Sequence, residues 1–99
     1  MRYYEVMFIA RPDLDDEASQ ALVDRITNLI NTNGGEVEKV EPTKRQRMAY
    51  EIQHYREGLY TVVNFKGEPR TAEELDRVLK ITDGVLRHMI VRLKDKEKE

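Results

Sequence analysis

The apolar residues change their period at Leu14, and that change restricts what the chain can fold into more than any other feature. Before it, Arg2 to Ala10 alternates as a strand does, with Tyr4, Val6, Phe8 and Ala10 on one face and Tyr3, Glu5, Met7 and Ile9 on the other. After it, Leu14, Ala18, Ala21, Leu22, Ile26, Leu29 and Ile30 recur every three or four positions and draw one stripe along a helix of about five turns. Arg11-Pro12-Asp13 separates the two, because proline has no N–H to give to a ladder. Asp13 or Asp15 can cap the helix, Asp16 and Glu17 suit the positive end of its dipole, and Asn33-Gly34-Gly35 ends it.

The second half repeats the alternation of periods. Glu36 to Glu41 reads as extended, and the extended character resumes after Pro42 through Met48, Tyr50 and Ile52; the proline makes this an edge strand or marks a bend within it. Gln53 to Gly58 is a polar connection, and Leu59 to Phe65 is the most β-prone run of the chain, expected as a second central strand. Gly67-Glu68-Pro69 reads as a turn, followed by a capping box at Thr71-Ala72-Glu73-Glu74 and a helix that buries Leu75, Val78, Leu79 and Ile81. Asp83-Gly84 closes that helix, and Val85 to Leu93 forms a last strand for which either face can be the buried one. Residues 1–94 are expected to make a single domain, and 95–99 a charged, flexible tail.

This order predicts an α+β, ferredoxin-like split βαβ fold (βαββαβ): a four-stranded antiparallel sheet with both helices on one face. Right-handed crossovers put the first and third strands in the centre. The other sheet face is left open, with Tyr3, Met7 and Ile9 as candidates to lie on it.

Several function classes are disfavoured by what the 99 residues contain. There is no cysteine, so thiolate metal sites are excluded, and His54 and His88 lack ligand spacing. Asp15-Asp16-Glu17 reads as a helix start serving its dipole, and no metal or other cofactor is expected. No nucleophile elbow or glycine-rich phosphate loop is present, and neither catalysis nor a small-molecule substrate is expected. Glu5 interrupts the first apolar run and no apolar stretch reaches membrane length, which leads to the expectation of a cytoplasmic protein with no membrane partner.

Charge is distributed unevenly. Up to Thr43 there are four cations against nine acids; from Lys44 onward there are thirteen against ten. The stretch Lys44-Arg45-Gln46-Arg47-Met48-Ala49-Tyr50 sets three cations before an apolar pair and an aromatic. It can dock an acidic or complementary partner, or it can guard an edge strand against mispairing. The same element order occurs in the RNA-recognition motif, but Glu57 to Val63 keeps only Gly58 and Val62 of the relevant strand and lacks its aromatic pattern.

Arg2-Tyr3-Tyr4-Glu5-Val6-Met7 with Arg11-Pro12, the run Gly35 to Val40, Arg47-Met48-Ala49-Tyr50 with Ile52, Gly58-Leu59-Tyr60, and Asp83 to Arg87 together resemble the family of bacterial small-subunit ribosomal protein number six. The resemblance covers the chain to about Lys94. It implies a ferredoxin-like fold, no catalysis, and a structural role in the small ribosomal subunit. The implied partners are small-subunit ribosomal protein number eighteen and, with it, the central domain of small-subunit ribosomal RNA. It also implies Arg2, Arg87 and Arg92 as RNA-binding residues, and Lys44, Arg45, Arg47, Met48 and Tyr50 as an edge for the protein partner or for RNA. Pro42-Thr43 and Gln46-Arg47 depart from the family's pattern, which has a glycine with an aromatic or apolar residue at the first place and often paired arginines at the second. The alternative from another class is a small ferredoxin-like regulatory or ligand-binding module that forms homo-oligomers.

Overall fold

A computed structural model describes residues 1–94; the tail expected at 95–99 lies outside the described residues. The elements are β1 (Arg2–Ala10), α1 (Asp16–Thr32), β2 (Glu36–Val40), β3 (Lys44–Ile52), β4 (Tyr55–Gly67), α2 (Pro69–Ile81) and β5 (Val85–Arg92). All strand pairs are antiparallel, and the sheet order is β2-β4-β1-β5 with β3 also on β4. The fold is ferredoxin-like, with five strands where four were expected. Pro42 is the reason for the split. Glu41 N–H still donates to Val62 O at 2.9 Å, but the proline has no donor, and pairing restarts at Lys44 opposite Tyr60. Because β1 occupies the other side of β4 from Leu59 to Gly67, β2 and β3 lie in line along one edge.

The register decides which side chains meet. Tyr4, Val6, Phe8 and Ala10 of β1 stand opposite Phe65, Val63, Thr61 and Leu59 of β4, and all eight are buried. They pack against Leu22, Val23, Ile26 and Ile30 of α1 and Leu75 and Leu79 of α2. The Tyr4 and Phe65 rings stack with centroids 5.4 Å apart. Each large apolar side chain enclosed this way contributes about 1.5–3 kcal/mol relative to exposure. His88 pairs with Phe8 and Ile90 with Val6, which resolves the last strand: Leu86, His88 and Ile90 are partly covered, while Arg87, Met89 and Val91 are exposed.

Local chemistry explains where the helices begin and end. Asp15 caps α1 by accepting from Ala18 N–H at 2.8 Å, and Gly34 after the helix takes φ +82°, open to a residue without Cβ. Helix α2 begins earlier than expected, at Pro69, because the fixed φ and missing N–H of proline suit a first helical position. Glu68 is therefore the cap, its N–H donating to Thr71 Oγ1 at 3.3 Å, and Thr71 in turn donates to Asn33 O at 2.9 Å. Ile81 is 71% exposed rather than buried, since it ends the helix outside the Leu75, Val78, Leu79 stripe. Tyr55 to Gly58 belongs to β4, not to a connection: Ile52 pairs with Tyr55 across a two-residue turn, with Gln53 at φ 50° and His54 at φ 69°.

Candidate docking face

The sheet face away from the helices carries rows of side chains fixed by the register. Met89, Met7 and Val62 form the middle row; Arg87, Ile9, Tyr60 and Lys44 form the next. Beyond them Glu5 stands between Val91 and Asn64, and Tyr3 between Lys66 and the end of the sheet. The face thus has an apolar centre between ionised margins.

The β3–β4 hairpin turns this face into a groove. It continues beyond the end of β1 and carries Met48, Ala49, Tyr50 and Ile52 to line one wall, opposite Met7, Ile9, Tyr60, Arg87 and Met89. Gly58 makes the close approach possible: a Cβ at this position would lie 2.2 Å from Ile9 Cγ2. Across the mouth, the Arg87 guanidinium lies 5.8 Å from the centroid of the Tyr50 ring, and its Nη1 donates to the Tyr50 hydroxyl. On the other side of the hairpin, Arg45 Nη2 donates to Pro12 O at 3.0 Å and its Nη1 lies 3.7 Å from Glu57 Oε2, while the Tyr55 hydroxyl reaches Asp13 Oδ2 at 3.5 Å. The arm is therefore tied to the β1–α1 loop as well as to β5.

The cations named from the sequence do not form one patch. Arg87 is at the groove, opposite Ile9. Arg2 starts β1, and Arg92 pairs with Tyr4 near the end of β5, so both lie toward the far end of the sheet. Seven residues of β1 separate the two ends, about 24 Å at strand rise. Lys44 faces the open side opposite Tyr60, whereas Arg47, opposite Glu57, points to the other side with Arg45. Met48 is 8% exposed and belongs to the groove wall; Tyr50 is 60% exposed and stands at its mouth. Met89 is a groove residue that the sequence did not single out, and Ala49 and Ile52, part of the motif quoted above, join it in the lining. Alternation from His88 and Ile90 would have marked Met89, had the register been known.

Behind the face, His88 Nε2–H donates to Asp76 Oδ1 at 2.7 Å and Lys80 lies 3.0 Å from Asp76 Oδ2, joining β5 to α2. These two contacts, His88 first, hold the Asp76 carboxyl below the usual carboxylate range. Among the described residues, no group of three His, Asp or Glu side chains is placed to hold a metal. No helix among the described residues is long and apolar enough to cross a membrane.

The sequence pattern of Ribosomal protein S6 matches residues 3–92. The chain belongs to this family. Small ribosomal subunit protein bS6 of Symbiobacterium thermophilum is 64% identical over 92 residues, covering 93% of this chain and 97% of the relative. The same protein of Moorella thermoacetica is 53% identical over 95 residues, with 96% and 97% covered. The crystal structure of 30S ribosomal protein S6 from Thermotoga maritima superposes with a TM-score of 0.92 at 35% identity, covering 98% of this chain and 92% of that one. The C-terminal domain of the MgtC protein from Mycobacterium tuberculosis shares the fold alone, with a TM-score of 0.61 at 16% identity over 100% of this chain and 95% of that one. Membership in the Ribosomal protein S6 family makes the chain a non-enzymatic protein of the bacterial small ribosomal subunit, and so of the cytoplasm.

Proposed function

We propose that the chain acts in the small subunit as a two-sided adaptor. Its open face receives small-subunit ribosomal protein number eighteen, and Arg2, Arg87 and Arg92 meet phosphates in the central domain of the ribosomal RNA. The observation that carries this reading is the apolar groove under the Arg87–Tyr50 pair, on a sheet face that neither helix covers. Met48 and Tyr50 give the partner an apolar wall, and Lys44 and Arg47 flank it on opposite sides of the edge strand. Arg45, already bonded to Pro12 and close to Glu57, holds the arm in place. The two basic ends of the sheet are about 24 Å apart and therefore meet separate stretches of a folded RNA.

The test is a titration of the protein, with its protein partner, onto a central-domain RNA fragment across a salt series. Replacing Arg2 and Arg87 by alanine should weaken binding and flatten the salt dependence by about one unit of log–log slope per lost phosphate contact. Thermal stability should change little, both side chains being exposed. Unchanged affinity and slope for the double variant at physiological salt would remove these arginines from the interface.

A further inference from the structure

Three of the four methionines of the chain, Met7, Met48 and Met89, line the one groove, and Met7 and Met89 are direct partners across β1 and β5. Their exposure is graded: Met89 is 53% exposed, Met7 is half-buried, and Met48 is 8% exposed. Thioethers give a docking surface adaptable apolar contact, but an exposed one is open to two-electron oxidation. We propose that Met89 is a peroxide-sensitive modification site whose oxidation switches off docking at this face, an inference that rests on the adaptor reading above.

The chemistry is balanced with a hydroperoxide as oxidant. The Met89 sulfur lone pair attacks one peroxide oxygen, the O–O bond breaks, an S–O bond forms, and with hydrogen peroxide the departing hydroxide leaves as water after proton transfer. Sulfur is oxidised by two electrons and the peroxide is reduced. The sulfoxide places a strong acceptor at the β5 end of the middle row, across from Met7 and next to Val91 along the strand, and neither of these offers a side-chain donor. The cation on the same face of β5, Arg87, is turned toward Tyr50, with its guanidinium 5.8 Å from the ring centroid and Nη1 donating to the hydroxyl. Pairing with the sulfoxide would draw it away from that contact at the groove mouth. A partner covering this row must then either desolvate that polar oxygen or accept a mouth from which Arg87 has been drawn away. In the assembled state the partner covers Met89 and shields it, so the site reports on unassembled copies. Methionine sulfoxide reductases reverse the change.

The test treats the free protein with hydrogen peroxide, maps sulfoxides by peptide mass spectrometry, and titrates the products with the protein partner on central-domain RNA. Met89 should oxidise ahead of Met7, and Met48 last, with the exposed Met1 as an internal reference. Oxidation should weaken binding at least tenfold, reductases with dithiothreitol should restore it, and the preassembled complex should keep Met89 reduced. In Met89→Leu, whatever its own starting affinity, the same treatment should change affinity less than twofold. Oxidation of Met89 no faster than that of Met48, or full binding by protein carrying the Met89 sulfoxide, overturns this inference and leaves the adaptor reading standing. Failure of the untreated protein to bind overturns the adaptor reading and the inference with it.

Discussion

Gly58→Ala tests whether the hairpin's close approach to the sheet is a packing requirement. The added methyl would sit 2.2 Å from Ile9 Cγ2, 3.4 Å from Ala10 O and 3.7 Å from Met48 Sδ. Only the first distance forces movement. Cγ2 is on the branched Cβ of a buried side chain, so Ile9 cannot swing a flexible end aside. Either Ile9 leaves its rotamer or the arm shifts outward, and overpacking of this kind costs about 1–3 kcal/mol. Against this stands the gain of about 0.4–1 kcal/mol from a less flexible unfolded chain, since Gly58 does not need a left-handed backbone. The net expectation is a loss of about 1–2 kcal/mol, or roughly 4–16 °C in Tm for a domain of this size. Urea denaturation followed by circular dichroism measures it. The decisive comparison is the same substitution made in an Ile9→Ala background, where the obstructing atom is gone. There Gly58→Ala should be neutral or stabilising, giving a coupling of about 1–3 kcal/mol between the sites. An equal penalty in both backgrounds, or none in the parent protein, would refute the steric reasoning.

Other substitutions probe the remaining joints. Thr71→Val removes the hydroxyl that both accepts from Glu68 N–H and donates to Asn33 O, and should cost about 1–3 kcal/mol in urea denaturation. His54→Gly relieves a left-handed φ of 69° on a fully exposed residue and should stabilise by about 1 kcal/mol, the lost ion pair with Glu51 counting for little. Asp76 titrates below its unfolded value, so the unfolded state binds more protons in acid and the stabilisation it brings is present above about pH 4 and lost as pH falls through the folded pKa. Asp76→Asn should therefore flatten the stability profile below about pH 4, seen as Tm against pH, and a profile parallel to the parent's would count against the His88–Asp76 contact.

The two-period pattern made most of this fold legible. Tyr4, Val6, Phe8 and Ala10 could be assigned to the core because a central strand beneath helices leaves one strictly apolar face, and the structure buries all four. Val85 to Leu93 could not be assigned, since both of its faces mix apolar and charged residues; only pairing with β1 resolves it. The turn at Gln53-His54 was hidden for a different reason. Neither residue is glycine, asparagine or aspartate, so the left-handed backbone has no local signature, and the first four residues of β4 read as a connection. The Met48-Ala49-Tyr50 segment was legible as a contact surface. Of its counterpart wall, Met7 and Ile9 were placed on the open face by alternation, but their meeting with Met89 was not legible, because that residue comes from a strand that joins them only through the register.

The sheet topology also sets the order of events during synthesis. Strand β1 is made first, yet its flanks are filled only by β4 and β5, with Phe8 waiting for Thr61 and then His88. At about 5–20 residues per second, the ribosome needs about 3–10 s to supply the fifty or so residues before β4. Throughout that interval Val6 and Phe8 belong to a strand with two bare edges, and the nascent chain has only α1 to cover one of its faces. Early synthesis is thus the stage at which a holdase has most to offer this chain, and slow translation between Ala10 and Leu59 is where aggregation would begin.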